Sequence, residues 1–179
     1  MIAIEVKPEL QGFEALAEGQ RRMVALGMRP RPIWEAVGTY GENSTRLRFK
    51  NQTDPDGKRW VPSIRVKVSG GQTLVQKARL LRSQSHNSDD SGAAWGTNLI
   101  YARVHQDGAI IRAKSAGALR FRMPGGGFVS VRQVTIPARA YVGVNEADGR
   151  EIVLVAGEVV YNALRNPSQG TSFGKGDPA

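Results

Sequence analysis

Serine, histidine and aspartate residues occur in this 179-residue chain in arrangements that some enzymes use for catalysis. Gly170–Gly174 has the pattern G-x-S-x-G of a nucleophile elbow, a sharp turn that exposes a serine between a strand and a helix. The elbow requires a preceding strand and a following histidine. A polar segment precedes Ser172 and no histidine follows it, so the pattern gives only weak support for a serine hydrolase.

Other candidate motifs each lack part of the chemistry they would need. Gly170–Lys175 is one residue shorter than a phosphate-binding loop, and Gly176 stands where a magnesium-binding hydroxyl is required. Asp54–Asp56 begins like a calcium loop but the later ligands are absent. His105 lies beside a turn, where a structural role is commoner, and Asp89–Asp90 has no partner base. We therefore expect no enzyme, no bound metal and no cofactor.

The composition excludes several further kinds of site and protein class. The absence of cysteine excludes disulfides, thiolate metal sites and cysteine nucleophiles. The two histidines, His86 and His105, are too isolated to suggest a zinc site. The longest apolar stretch, near Ile152–Ala156, is far shorter than a membrane span, and the N-terminus has no signal-peptide pattern. We expect a protein kept in a reducing cytoplasm, with no membrane partner.

The formal net charge of +9 is unevenly distributed. Between Asp56 and Asp89 there are seven lysine and arginine residues and no acidic residue. Between Asp107 and Glu146 there are six arginine and lysine residues and again no acidic one. Such stretches favour surfaces that face nucleic acid or an acidic partner subunit, with general solubility as the alternative.

The N-terminal third is predicted to be largely helical. Residues 1–7 alternate like an edge strand. A helix is expected from Pro8-Glu9, with Gly27 as its end. A second helix is expected over Pro32–Phe49, with Ile33, Trp34, Val37, Tyr40, Leu47 and Phe49 buried. Gly38 and Gly41 weaken it, and indicate a kink or close packing against another helix.

The remainder is predicted to be mostly β-structure. The expected elements are a turn at Asp54–Gly57, an ambiguous excursion at Ser63–Gly71, a short helix in Thr73–Leu81 that runs into a strand near Arg79–Ser85, a polar turn at His86–Gly92, strands at Ala93–Val104, Leu119–Met123 and Phe128–Ile136, a hairpin turn at Pro124–Gly127, and a last helix over about Gly149–Leu164. This pattern indicates an α+β fold, with an antiparallel sheet packed against N-terminal helices and a C-terminal helix. We expect one domain over residues 1–166 and an extended, glycine-rich arm over residues 167–179.

Five segments, taken in order, resemble one protein family. They are Arg48-Phe49; Asp54–Pro62, like P-x-G-x-x-W-x-P; Leu74–Ser83, like L-x-x-T-G-x-L-x-x-S without its glycine; Gly96–Gly108, like G-T-x-x-x-Y-A-x-x-H-Q-x-G; and Ile136–Gly143, like x-P-A-R-x-F-L-G. This order resembles the phage virion morphogenesis family, which includes the tail completion proteins of Mu-like phages. The resemblance covers about residues 8–165. The basic hairpin between Ala109 and Thr135 and the glycine-rich tail depart from it.

The resemblance implies a structural virion protein of a tailed bacteriophage: a tail completion or tail terminator subunit that joins tail to head at the neck. Its implied partners are further copies in a hexameric ring, tail tube proteins and head–tail connector proteins. It would reside in the tail or neck of the virion, and in the host cytoplasm during assembly. Two other hypotheses remain open: a module that contacts DNA non-specifically, and a hydrolase that uses Ser172.

Some residues are candidates for contacts in such an assembly. Those expected to face a DNA channel or an acidic partner are Arg112, Lys114, Arg120, Arg122 and Arg132. In the predicted arm, Phe173 is expected in a pocket of a neighbouring subunit and Lys175 near a carboxylate, because the tail has little apolar surface to bury against its own domain.

Most family-like residues are predicted to be framework rather than contact surface. Trp60 is expected to fold back onto the core after the turn at Asp56-Gly57. Tyr101 and His105 are expected on one face of a strand. Arg139 is expected to reach a carboxylate.

Overall fold

The computed structural model describes residues 2–7, 11–114 and 117–166. Helices and small antiparallel sheets form the predicted α+β fold. Two compact units divide the described chain. We call residues 2–4, 44–85 and 96–143 the ribbon unit, and residues 5–43, 86–95 and 144–166 the helical unit. The expected single domain over residues 1–166 stays a prediction, and the expected arm over residues 167–179 lies outside the described residues.

The described elements follow one another in this order: β1 Ile2–Val6, α1 Glu14–Ala25, α2 Arg31–Asn51, α3 Ile64–Ser69, α4 Arg79–Arg82, β2 Ser85–Ser88, β3 Ala93–Thr97, α5 Ala102–Asp107, β4 Ala109–Arg112, β5 Leu119–Arg122, β6 Phe128–Val131, β7 Gln133–Ile136 and α6 Glu146–Arg165. Three of the strands form a sheet in the order β1-β3-β2, so β1 is an edge strand as predicted. The other four form the antiparallel pairs β4-β7 and β5-β6.

Helices α1 and α6 belong to the helical unit and pack against each other. The predicted end of α1 is confirmed: Gly27 has a φ of 71° and donates its N–H to Val24, while the N–H of Met28 reaches Met23. Together these bonds satisfy the last carbonyls of the helix. Helix α1 begins at Glu14, and the expected start at Pro8-Glu9 lies outside the described residues.

Helix α6 begins three residues earlier than predicted. The side chain of Asn145 accepts the N–H of Asp148 at 2.8 Å, and Asp148 accepts the N–H of Asn145 at 3.0 Å. This capping box places the helix start at Glu146. The hydroxyl of Tyr40 also donates to Asp148 at 2.9 Å.

Helix α2 forms almost as predicted, but its glycines contact a sheet rather than another helix. A Cβ at Gly38 would lie 2.7 Å from the His86 ring, and one at Gly41 would lie 2.2 Å from the Trp95 ring. Both rings belong to strands of the three-stranded sheet, so the two glycines create room for them. Leu47, expected to be buried, is 53% exposed, and Tyr40 is only partly buried.

In the middle of the chain, a segment left ambiguous is a helix, and two strand predictions were wrong. The segment Ser63–Gly71, which was ambiguous from sequence, contains helix α3. The hydroxyl of Ser63 caps this helix by accepting the N–H of Val66. The expected strand near Arg79–Ser85 is helix α4, and the strand β2 starts only at Ser85. The expected strand Ala93–Val104 ends at Thr97, and α5 follows. Short apolar runs do not separate a strand from a helix by their periodicity, so tertiary contacts decide.

We predict that G41A destabilises the helical unit by about 1–3 kcal/mol, because the added methyl group overlaps the buried Trp95 ring. G157A provides the matched control, because no atom lies within 4 Å of a Cβ at Gly157, which is a helical position in α6. G157A should leave the free energy of unfolding unchanged or raise it by up to about 1 kcal/mol. Chemical denaturation of both variants measures the difference, and equal stabilities would contradict it.

Candidate interaction surface

Residues 109–114 and 117–136 contain two antiparallel strand pairs, which together we call the ribbon. Ala109 pairs with Ile136 at its base, and Leu119 pairs with Val131 in the outer pair. The N–H of Ala113 donates to Arg132 at 3.0 Å and links the two paired regions. The predicted hairpin and its turn are confirmed at β5 and β6, whereas the expected strand Phe128–Ile136 is divided into β6 and β7, and the pairing of β4 with β7 was not predicted.

The two faces of the outer ribbon differ in chemistry. Side chains alternate between faces along a strand, and directly paired residues share a face. Arg120 pairs with Ser130 and Arg122 pairs with Phe128, so these four residues share what we call the basic face. The opposite face carries Leu119, Phe121, Val129 and Val131. Phe128 is 82% exposed, so a large aromatic group stands among the arginines.

The five candidate contact residues all lie on this ribbon. They are Arg112, Lys114, Arg120, Arg122 and Arg132, and all five are exposed. None forms an ion pair with a residue that the structure describes. Their contact with DNA or with an acidic partner stays a prediction. Phe173 and Lys175 lie outside the described residues.

Gln106 holds the segment that leaves the base of the ribbon. Its side-chain amide donates to the carbonyl of Val142 at 2.7 Å, and its oxygen accepts the N–H groups of Tyr141 and Val142 at 3.0 and 3.2 Å. The N–H of Arg139 also donates to the carbonyl of His105 at 2.8 Å. The residues before β4 and after β7 are therefore joined to each other.

Gly108 allows this close approach. Its φ is +75°, and a Cβ there would lie 2.8 Å from the backbone nitrogen of Ala138 and 2.9 Å from the carbonyl oxygen of Ile136. A larger residue would combine backbone strain with a clash against backbone atoms. Glycine is therefore required at the position where the ribbon begins.

An aromatic cluster supports the same segment from within the ribbon unit. Trp60 folds back onto the core as predicted: it meets Phe49 edge-on, with ring centroids 5.4 Å apart, and donates its indole N–H to Ala140 at 2.9 Å. Tyr141 is fully buried and donates to the carbonyl of Ala102 at 3.2 Å. Burial raises the pKa of Tyr141, and the nearby charge of Asp107 adds to this, so the hydroxyl stays a donor.

Two framework predictions are corrected. Arg139 is buried and donates its Nε to the carbonyl of Val61 at 2.8 Å instead of reaching a carboxylate. Tyr101 and His105 adjoin along helix α5 rather than a strand, with ring centroids 6.0 Å apart. Residues four apart share a face in both elements, but they lie about 13 Å apart along a strand and become neighbours only in a helix, so this ring contact depends on the helical turn. Burial lowers the pKa of His105, and the charge of Arg139 lowers it further.

A basic cleft that sequence reasoning missed lies elsewhere in the ribbon unit. It has a volume of about 200 Å³ and is lined by Arg65, Lys77 and Arg79, together with His105 and Ser63. Lys77 and Arg79 form no ion pair with any described residue. The acid-free stretch between Asp56 and Asp89 was the only sequence signal for it.

In the helical unit, His86 lies between two carboxylates. Its ring nitrogens are 2.6 Å from Glu42 and 3.1 Å from Glu35, and Ser88 donates to the second carboxylate of this pair. Burial alone would lower the pKa of His86, but the hydrogen bonds with Glu42 and Glu35 outweigh it and the pKa is raised. The hydrogen bond from Ser88, followed by that from His86, lowers the pKa of Glu35.

Across the described ranges, no group of three or more histidine and acidic side chains is arranged to hold a metal ion. Among the helices of residues 2–7, 11–114 and 117–166, none has the length and apolar character needed to cross a membrane.

Comparison with known proteins places these features in a family. The model of the phage virion morphogenesis family matches residues 12–160. The chain belongs to the phage virion morphogenesis family. The matched region includes the Trp60 turn, Gln106 and the whole ribbon, and membership gives the protein a structural role in building a phage virion. Searches of curated proteins and of solved structures found no significant match.

We predict that Q106L destabilises the chain by about 2 kcal/mol or more, because it leaves the buried backbone groups of Tyr141 and Val142 without partners. R103A on the same helix is the control, since Arg103 only pairs with Asp107 in an exposed position and should change stability by less than about 1 kcal/mol. Denaturant titration measures both. A Q106L midpoint equal to that of R103A would contradict the role of Gln106.

We predict that His86 makes stability depend on pH. The pKa of His86 is higher in the folded protein than its unfolded value of 6.5, so the protonated form stabilises the fold. This stabilisation is complete below pH 6.5 and is lost as the pH rises through the folded pKa. The wild-type melting temperature should therefore fall between about pH 6 and pH 8 more than that of H86Q, which keeps hydrogen-bonding capacity without titrating. Parallel profiles for the two proteins would refute the prediction.

Proposed function

We propose that this phage virion morphogenesis protein is a tail completion or tail terminator subunit, which joins tail to head at the neck as a closed ring of identical copies. The ribbon is the observation that supports this proposal. A two-stranded arm is marginally stable alone in water, and this one exposes Phe128, Ile110 and Ile111. Covering by a neighbouring subunit would stabilise it and protect its free strand edges.

The distribution of charge supports assembly from identical copies. Among the described residues, the ribbon unit has 17 lysine and arginine residues against three acidic ones, a net charge of +14. The helical unit has seven against 11, a net charge of −4. A ring requires two different, complementary surfaces on each copy. Opposite net charges on the two units favour that pairing.

The proposed partners are the tail tube and head–tail connector proteins, with six copies per ring by analogy with phage tails. Such a ring lies where DNA passes from head to tail. Distributed arginines can contact phosphates without reading sequence, so they would not hold the DNA at one position.

Non-specific DNA binding is the second candidate function. It is favoured by the unpaired arginines of the ribbon and by the basic cleft at Arg65, Lys77 and Arg79. Two results would support it: an affinity for free duplex DNA that falls steeply with salt, and a greater loss of affinity in R120E/R122E than in K58E/K67E. Binding that is weak and equal in these variants would favour the assembly role.

We predict that removing this protein leaves filled heads and tails that do not join, and that an image of the particle shows several copies in a ring at the head-proximal end of the tail. The physical reason is that a terminator blocks further tail growth and offers a new surface to the connector. Electron microscopy of mutant lysates and of intact particles tests this. A single copy per particle, or a position at the distal tip, would overturn the proposed function.

A further inference from the structure

The outward side of helix α6 carries a stripe of alternating acidic and large apolar side chains. Glu151, Leu154, Glu158 and Tyr161 are all exposed and follow one another at intervals of three, four and three residues, which places them on one side of the helix. Leu154 is 64% exposed and Tyr161 is 60% exposed. We call these four residues the α6 stripe.

Neither carboxylate of the α6 stripe is neutralised within the described chain. Within α6, Glu146 forms an ion pair with Arg150. Glu151 and Glu158 form no ion pair with a described residue. An exposed leucine and an exposed tyrosine that alternate with two carboxylates are suited to a partner that offers both apolar surface and positive charge.

The basic face of the ribbon has that chemistry. Arg120 and Arg122 are exposed and form no ion pair with a described residue, and Phe128 stands beside Arg122 across the strand pair. Arginine and aromatic residues are enriched at the centres of protein interfaces, because they combine contact area with directed hydrogen bonds. DNA phosphates would also pair with the arginines, but DNA would leave the carboxylates and the apolar side chains of the α6 stripe without a partner.

We propose that the basic face of one copy binds the α6 stripe of the next copy. Arg120 and Arg122 pair with Glu151 and Glu158, and Phe128 packs against Leu154 or Tyr161. This inference rests on the proposed ring and specifies its subunit interface. Exposed ion pairs contribute little on their own, so the apolar contacts supply affinity while the charges fix orientation.

The two surfaces differ, so the contact is heterologous. Each copy then offers a ribbon to one neighbour and an α6 stripe to the other, so repetition of the contact extends the assembly beyond a dimer and closes a ring where the rotation between copies closes. The ribbon would thus be the element that reaches the next subunit.

Charge reversal tests the pairing. R120E/R122E and E151R/E158R should each reduce incorporation into particles by about tenfold or more, through like-charge repulsion. The quadruple variant should recover most of the loss, because the reversed charges again attract. K58E/K67E reverses two exposed lysines outside the ribbon and should assemble normally. Normal assembly of E151R/E158R, or no recovery in the quadruple variant, would overturn the interface.

Cross-linking tests the contact directly, because the chain contains no cysteine. F128C/L154C particles treated with a short bismaleimide should give a ladder of covalent multimers larger than a dimer, whereas F128C or L154C alone should give dimers at most. If F128C/L154C fails to assemble, S130C/A147C uses smaller exposed residues on the same two surfaces. Multicopy rings without a ladder would refute this interface but leave the ring. One copy per particle would refute the ring itself.

Discussion

The hydrogen bonds of the Gln106 side chain with the backbone at Tyr141 and Val142 are the constraint on which the ribbon depends. An amide offers one acceptor and two donor hydrogens, so a single residue can satisfy neighbouring N–H and carbonyl groups that no strand or helix pairs. Without it, the segments that enter and leave the ribbon would be joined only by weaker means, such as the bonds from Arg139 to His105 and from Tyr141 to Ala102. If the two segments separated, the strand pairing of Ala109 with Ile136 at the base of the ribbon would be lost.

Most of the family-like motifs converge on that anchor. Trp60 donates to Ala140, Arg139 to Val61, and Arg48 to the carbonyls of Tyr141 and Gly143. Each bond ends on a backbone carbonyl, so the motifs hold a chain path rather than a reactive group. This explains why residues that suggested acid–base chemistry, such as His105, belong to a framework that presents an arm.

In the proposed ring, the ribbon and α6 of one chain carry the two halves of the assembly contact. Within the described residues the positive charge is concentrated in one unit, and the free carboxylates of α6 lie in the other. Self-repulsion among so many cations disfavours the isolated ribbon unit, and a neighbouring acidic surface relieves it. Assembly and stability are thereby linked.

Local chemistry in the sequence determined the α+β class, helix α2, the end of α1 at Gly27, the hairpin β5-β6 and the basic ribbon, because turn residues and side-chain periodicity act over a few neighbours. Tertiary structure alone decided that Tyr101 and His105 lie on a helix, that β4 pairs with β7, and that Gly41 accommodates the Trp95 ring. It also decided that Gln106 is the anchor. Each of these depends on partners more than 20 residues away or on competition between short elements, which no local pattern records.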